Sequence, residues 1–244
     1  MSLALKLLIQ RSRGFFDADE IVLEIQHGEG GDDAKIFVEQ LFAAYLKYAQ
    51  SLGFESELLL TEEGHMMAQV CGAHVGRAFR HEPGKHVVQR VPPTETNGRR
   101  QTSVVSVGIL PVRNESFVGL AEQDLKIEAV ALGGKGGQHN NRHYCGCRIT
   151  HLPTGFKVTL NGREYHANER DARRVLTARV NEAKKLSEDT EYAAFKRKQM
   201  GDGGRGSKVR TYNFIDSRVV DHRLGTKTGN IKAVMKGDFS KLFR

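Results

Sequence analysis

The sequence predicts an α+β protein of two modules, and three observations carry that expectation. The chain has 244 residues, more than a usual domain of roughly 100 to 150 residues. Its second half orders a strand, a β-hairpin and a helix, the pattern of a small α+β module. Near the C-terminus, "VRTYNFIDSRVVDHRL" alternates apolar and polar residues, as a strand returning to the first module would, so the second module is inserted into the first.

The elements follow in order. "IVLEIQ" alternates and reads as a strand, which "HGEGGDD" breaks. From Asp33, the spacing of Phe37, Leu41, Ala44, Tyr45, Tyr48 and Leu52 is helical, and Gly53 is a natural stop. This places a glycine-rich turn at a helix N-terminus, where free backbone N–H groups collect, although its spacing matches neither a dinucleotide fingerprint nor a P-loop. A second helix is expected over Ala73 to Arg80, then strands over His86–Val91 and Thr102–Leu110. The intervening "VPPTETNGRRQTS" reads as an exposed loop, because prolines cannot donate to a sheet ladder and Asn97-Gly98 is a turn signal.

After the linker "ILPVRNESFVGLAEQ", a strand spans Leu125 to Ala131 and leads into "LGGKGGQHNNRHYCGC". The hairpin "CRITHLPTGFKVTLNG" then turns at Pro153-Thr154-Gly155. Asn168 is expected to cap a helix with Ala172, Val175, Leu176, Val180 and Ala183 on one face and Arg170, Arg173, Arg174 and Arg179 elsewhere.

Composition narrows the function classes. The apolar content, 39%, excludes a disordered chain. The apolar stretch within Met1 to Arg13 is too short to span a membrane and has no small-residue cleavage site, while Asp17, Asp19 and Glu20 argue against a transit peptide. Three cysteines leave an odd one over and fit a reducing compartment. The expectation is a cytoplasmic monomer with no membrane partner.

The net charge of +8 is unevenly shared. Up to Val130 there are about 13 Lys and Arg against about 18 Asp and Glu; beyond it, about 24 against about 11. The second half is built to meet a polyanion, and nucleic acid is the favoured one. His139, His143, Cys145 and Cys147 match no standard zinc spacing, so no metal and no other cofactor is expected; the cysteines read as small packing residues.

Several motifs, in one order along most of the chain, carry a resemblance. "LEIQHGEGGDDA", "HVVQRVPPTETNGRRQTS", "GGQH" at Gly136 to His139, "RITHLPTG" at Arg148 to Gly155, "RTYNF" at Arg210 to Phe214 and "DHR" at Asp221 to Arg223 are similar to those of class I peptide-chain release factors of bacteria and organelles. The resemblance implies a codon-reading α/β module, an inserted small α+β domain carrying the GGQ loop, and a C-terminal segment packing on the first module. Its expected divisions are a remnant N-terminal helix and linker at 1–20, a codon-recognition domain at 21–111, a linker at 112–124, the GGQ domain at 125–200 and the C-terminal segment at 201–244.

The resemblance also implies a ribosomal setting, with 16S-like and 23S-like rRNA, an mRNA stop codon and peptidyl-tRNA as partners. Gly136, Gly137 and Gln138 would promote hydrolysis of the ester linking peptide to tRNA. Such a loop needs no nucleophile, since water attacks the ester carbonyl and a preoriented backbone N–H, that of Gln138, can stabilise the developing oxyanion by about 3 to 4 kcal/mol. Its glycines reach φ > 0 and approach RNA without a Cβ. Gln138 would also be a target of N5-methylation by a glutamine methyltransferase.

Lys135 and Arg142, beside the loop, and Arg170, Arg173 and Arg174, on the helix, would neutralise rRNA or tRNA phosphates. Pro92-Pro93-Thr94 is similar to the Pro-x-Thr element of factors that read UAA and UAG, and the Thr94 hydroxyl can both donate and accept. Gln89 and Thr102 occupy positions associated with the third base, and Gly30, Gly31 and Asp32 a helix tip near the first. One departure stands out: Gln101 lies where the family carries a histidine that stacks on a codon base, expected here near the third. An alternative activity is codon-independent rescue of stalled ribosomes by the same hydrolysis, to which Gln101 lends support. The retained codon-reading segment favours the stop-codon reading.

Overall fold

The structure is a computed structural model that describes residues 17–112, 119–131, 145–200 and 208–243. The expected remnant helix, residues 113–118 of the linker, the GGQ loop and the polar stretch "GDGGRGS" lie outside the described residues. The chain divides into two compact units, Met1–Arg113 with Ala194–Arg244, and Asn114–Ala193. The mixed α+β architecture, with an insertion and a returning C-terminal segment, agrees with the predicted fold class.

The first unit is built on β1 (Glu20–His27), β2 (Glu55–Glu62), β3 (His65–Cys71), β4 (Gly84–Arg90), β5 (Gln101–Pro111), β9 (Lys208–Asn213), β10 (Arg218–Asp221) and β11 (Lys227–Thr228). They form one sheet in the order β11-β10-β9-β4-β5-β1-β3-β2. All neighbours are antiparallel except β4 and β9, the join that carries the C-terminal segment back. Helix α1 (Gly31–Ser51) lays Phe37, Val38, Leu41, Phe42 and Tyr45 on one sheet face, against Ile21, Leu23, Ile25, Val105 and Val107. It ends with the Leu52 N–H on the Tyr48 and Ala49 carbonyls and Gly53 at φ 78°, a conformation glycine adopts without steric cost.

β1 is buried on both faces, which its alternating sequence did not announce. Glu24, 1% exposed, points away from α1 and meets Lys196 Nζ at 2.5 Å and His65 Nε2 at 2.7 Å. Lys196 belongs to the end of a long helix, α3 (Tyr165–Met200). Nearby, Gln199 accepts the Ile109 N–H at 2.8 Å and Met200 lies over Gly108. The last turns of α3 thus cover the second face of this sheet.

In this unit one local expectation needs correction, and one hairpin was not foreseen. The helix expected at Ala73–Arg80 is a single turn, α2 (Val75–Ala78), because His74 enters at φ 56° and Pro83 follows closely. The hairpin β2–β3 had no sequence expectation: "ESELLLTE" does not alternate, being an exposed edge strand bulged between Leu58 and Leu60.

The returning segment is locked by charge. Arg210, on β9, is fully buried and bonds both Glu82 carboxylate oxygens and Asp221 at 2.8 Å. Tyr45 donates to Glu82, and Phe239 and Phe243 lie over the guanidinium at 5.6 and 5.7 Å. Helix α4 (Ile231–Val234), capped by the Asn230 side chain, closes the same core.

The second unit is an antiparallel sheet β6 (Leu125–Val130), β7 (Gly146–His151) and β8 (Lys157–Leu160) in that order, covered by the first turns of α3. Cys147, Ile149, Val158, Ala172, Leu176 and Val180 form its core, so Cys147 is indeed a packing residue. Gly155 sits at φ 71° in the predicted turn, where its N–H bonds the His151 carbonyl. Asn168 is not the cap: α3 starts at Tyr165, and the Asn168 amide instead donates to the Cys145 carbonyl at 2.6 Å. Val175 is 38% exposed and falls outside the buried stripe. Among the described residues no helix is long and apolar enough to cross a membrane, and no group of three or more His, Cys, Asp or Glu could hold a metal ion.

Candidate nucleic-acid interface

The first unit brings the α1 tip and the β4–β5 loop together through one buried constellation. Gly30 precedes α1 at φ 128° and Gly31 opens it at φ 57°. A Cβ on Gly30 would stand 2.5 Å from the Ser103 Cβ, so the tip can lie against β5 only because this residue is glycine. Asp33, 2% exposed, accepts from Arg90 Nε and from the Ser103 hydroxyl, each at 2.7 Å. Arg90 continues to the Gln40 amide oxygen at 2.6 Å and stacks on Phe37 and Phe214 at 5.8 and 5.5 Å. The last residue of β4 is therefore fixed, and the loop that follows leaves from a rigid base.

Within that loop Pro92 is buried while Pro93 and Thr94 are exposed. Glu95 knits it together. Its N–H bonds the Pro92 carbonyl at 3.0 Å, and its carboxylate accepts the Asn97 N–H at 2.9 Å and the Gln101 amide at 3.1 Å. Gly30, Gly31, Asp32, Pro92, Pro93, Thr94 and Gln101 are thus brought to one end of the sheet. Asp32 is exposed and paired only loosely with Lys35, at 3.2 Å.

Register separates the polar residues onto two faces. Gln89 is paired with Thr102, and Arg90 with Gln101. Since side chains alternate along a strand, Gln101 shares the α1 face with Arg90, Ser103 and Val105, while Gln89 and Thr102 take the opposite face. There the Asn213 amide approaches Gln89 at 3.5 Å, and the Phe214 N–H bonds the Gln89 carbonyl at 3.0 Å. Sequence patterning missed Asp33, Arg90, Ser103 and Glu95, whose partners are up to 70 residues apart; only the glycines before Asp33 hinted at a close approach.

The basic helix shows a second distinction. Arg170 and Arg174 are exposed, Arg174 with 86% of its side chain accessible. Arg173 is turned inward to Glu122 and Glu169, and those two acceptors raise its pKa. Lys135, Gly136, Gly137, Gln138 and Arg142 lie outside the described residues.

The comparisons with known proteins agree along the whole chain. Residues 2–107 match the PCRF domain and residues 114–223 the RF-1 domain. Peptide chain release factor 1 of Chlamydia caviae is 39% identical over 231 residues, covering 91% of this chain and 64% of that protein. The Acidiphilium cryptum protein of the same name is 41% identical over 92% of this chain and 66% of its own length. The mitochondrial peptide chain release factor 1 of Arabidopsis thaliana is 37% identical over 99% and 60%. Among solved structures, RF2 of Thermus thermophilus superposes with a TM-score of 0.54 at 29% identity, covering 98% of this chain and 72% of that one. The chain spans just under two thirds of the length of the curated relatives it matches. Two adjoining domain matches, together with these relatives, show that the chain belongs to the class I peptide-chain release factor family.

Proposed function

We propose that the chain reads stop codons, UAA and UAG, on the cytoplasmic ribosome and triggers hydrolysis of peptidyl-tRNA. The observation that carries this reading is the Asp33–Arg90–Ser103 constellation, which holds the glycine tip of α1 and the Pro92-Pro93-Thr94 turn on one exposed end of a rigid sheet. Such an arrangement suits single-stranded RNA, whose bases are read on their edges by short polar side chains. Thr94 meets the first two bases, the α1 tip the first, and Gln89 with Thr102 the third.

Hydrolysis falls to Gly136, Gly137 and Gln138. Water attacks the ester carbonyl, the ribose oxygen leaves, and the Gln138 backbone N–H stabilises the oxyanion while its side chain excludes larger nucleophiles. Methylation of Gln138 by a glutamine methyltransferase belongs to the same proposal. Exposed Arg170 and Arg174, with Lys135 and Arg142, meet rRNA and tRNA phosphates, whereas Arg173 orders the helix.

The test is release of formyl-methionine from ribosomes programmed with UAA, UAG, UGA, a sense codon or an empty site. Release at UAA and UAG, with little elsewhere, is expected. Equal release on every template would replace this reading with codon-independent rescue. Gln138→Ala keeps the donor and should retain substantial release, while Gln138→Pro deletes it and should abolish release with ribosome binding intact. Equal loss in both variants would place the chemistry on the side chain instead.

A further inference from the structure

We infer that Gln101, oriented by Glu95, reads the 6-amino group of the second codon base, which makes it an adenine-selecting residue and not a substitute stacking surface. The inference rests on the stop-codon reading above and deepens it. A carboxylate only accepts hydrogen bonds. The Glu95 carboxylate, 3.1 Å from the Gln101 amide, must therefore face its NH2 end, and the Gln101 carbonyl oxygen is left as the group on offer. Glu95 is itself anchored through the Asn97 N–H and the Pro92 carbonyl, so the amide's polarity is set by the folded loop and not by the ligand.

An outward acceptor discriminates purines at one position. Adenine carries an amino donor at C6, which the Gln101 oxygen can accept; guanine carries an oxygen there, and two acceptors would oppose each other. Register says which base. Gln101 lies on the α1 face with Arg90 and Ser103, beside the turn bearing Thr94, while Gln89 and Thr102 lie on the other face. The base on the side of Thr94 and the α1 tip precedes the base on the side of Gln89 and Thr102. Gln101 thus belongs to the second base, not to the third that its sequence position suggests.

The experiment uses the full chain, ribosomes bearing formyl-methionyl-tRNA, and UAA templates in which the second or third adenine is replaced singly by purine, which lacks the 6-amino group. For the unmodified protein, purine at the second position should lower kcat/KM for release about tenfold, the worth of roughly one hydrogen bond. Gln101→Ala should shrink that loss severalfold, leaving only the part that Thr94 carries, and should keep the protein's response to purine at the third position. Glu95→Gln, which lets either amide orientation form, should raise release at UGA relative to UAA. A loss at the second position that is undiminished in Gln101→Ala, or sensitivity at the third that disappears with it, would overturn the assignment. No release from unmodified UAA would overturn the stop-codon reading and this inference together, so the two failures are distinguishable.

Discussion

At Gly30 two constraints meet. Its φ of 128° is open to glycine alone, and a Cβ would enter the space of the Ser103 side chain and backbone, at 2.5 and 2.7 Å. Gly30→Ala should therefore cost about 2 to 3 kcal/mol, seen as a lower denaturant midpoint, and should reduce release even at saturating factor because the tip is displaced from the loop. Gly31→Ala, with nothing within 4 Å of the added carbon, carries only the cost of its φ of 57° and should be milder. Equal effects would show that contact with β5 is unimportant. The sequence pointed to this turn through its glycines but assigned no role to Asp33, whose value lies in Arg90 and Ser103, 57 and 70 residues away. Likewise the Gln101 departure was visible, but its partner Glu95 and its face of the sheet were not, since both depend on the β4–β5 register.

At the scale of elements, the β4–β9 join is the least expected and the most heavily charged. His86, on β4, lies beneath it: its Nε2 is 2.9 Å from the Glu82 carbonyl and its Nδ1 3.3 Å from the Tyr212 hydroxyl. Since a carbonyl accepts, Nε2 carries the proton and Nδ1 accepts from Tyr212. Burial, and then the Arg210 charge, push the His86 pKa down to about 4. In the unfolded chain it returns to about 6.5. Above that value the imidazole is neutral in both states and the fold keeps its full stability. As the pH falls from 6.5 toward 4, only the unfolded chain takes up the proton, so stability drops, by about 2 kcal/mol at pH 5. Chemical denaturation at pH 7 and pH 5 should show this loss, and His86→Gln should remove most of it. An unchanged pH profile in the variant would mean that other groups govern acid sensitivity. The strand pattern of the C-terminal segment was legible because apolar and polar residue types alternate along it, although β9 itself is buried without a break from Val209 to Tyr212. That it pairs parallel to β4 was not, because the reason is a buried ion cluster assembled from Glu82, Arg210 and Asp221.

Across the whole molecule, the uneven charge separates two kinds of contact. On the proposed reading, the acidic first half carries the codon-reading surface, with Thr94, Gln89, Gln101 and Thr102 as its neutral donors and acceptors, whereas the basic second half supplies the phosphate contacts. Affinity for ribosomes should therefore fall steeply with salt, and each phosphate contact removed should flatten the plot of log affinity against log salt by roughly 0.7 to 0.9. The three helix arginines do not contribute alike. Arg170 and Arg174 face solvent, while Arg173 is committed to Glu122 and Glu169. Charge-neutralising Arg170 and Arg174 together, as Gln, should flatten the slope by about 1 to 2 units. Arg173→Gln should leave the slope unchanged and loosen the helix, read as faster amide exchange in its first turns. Composition alone grouped the three, because nothing in "RDARR" shows that Arg173 is held by Glu122 and Glu169 while Arg174 only grazes Asp171, at 4.0 Å. If Arg173→Gln flattened the slope as much as the double variant, its acidic partners would have to release it on binding, and the helix would present a phosphate site that the free protein keeps closed.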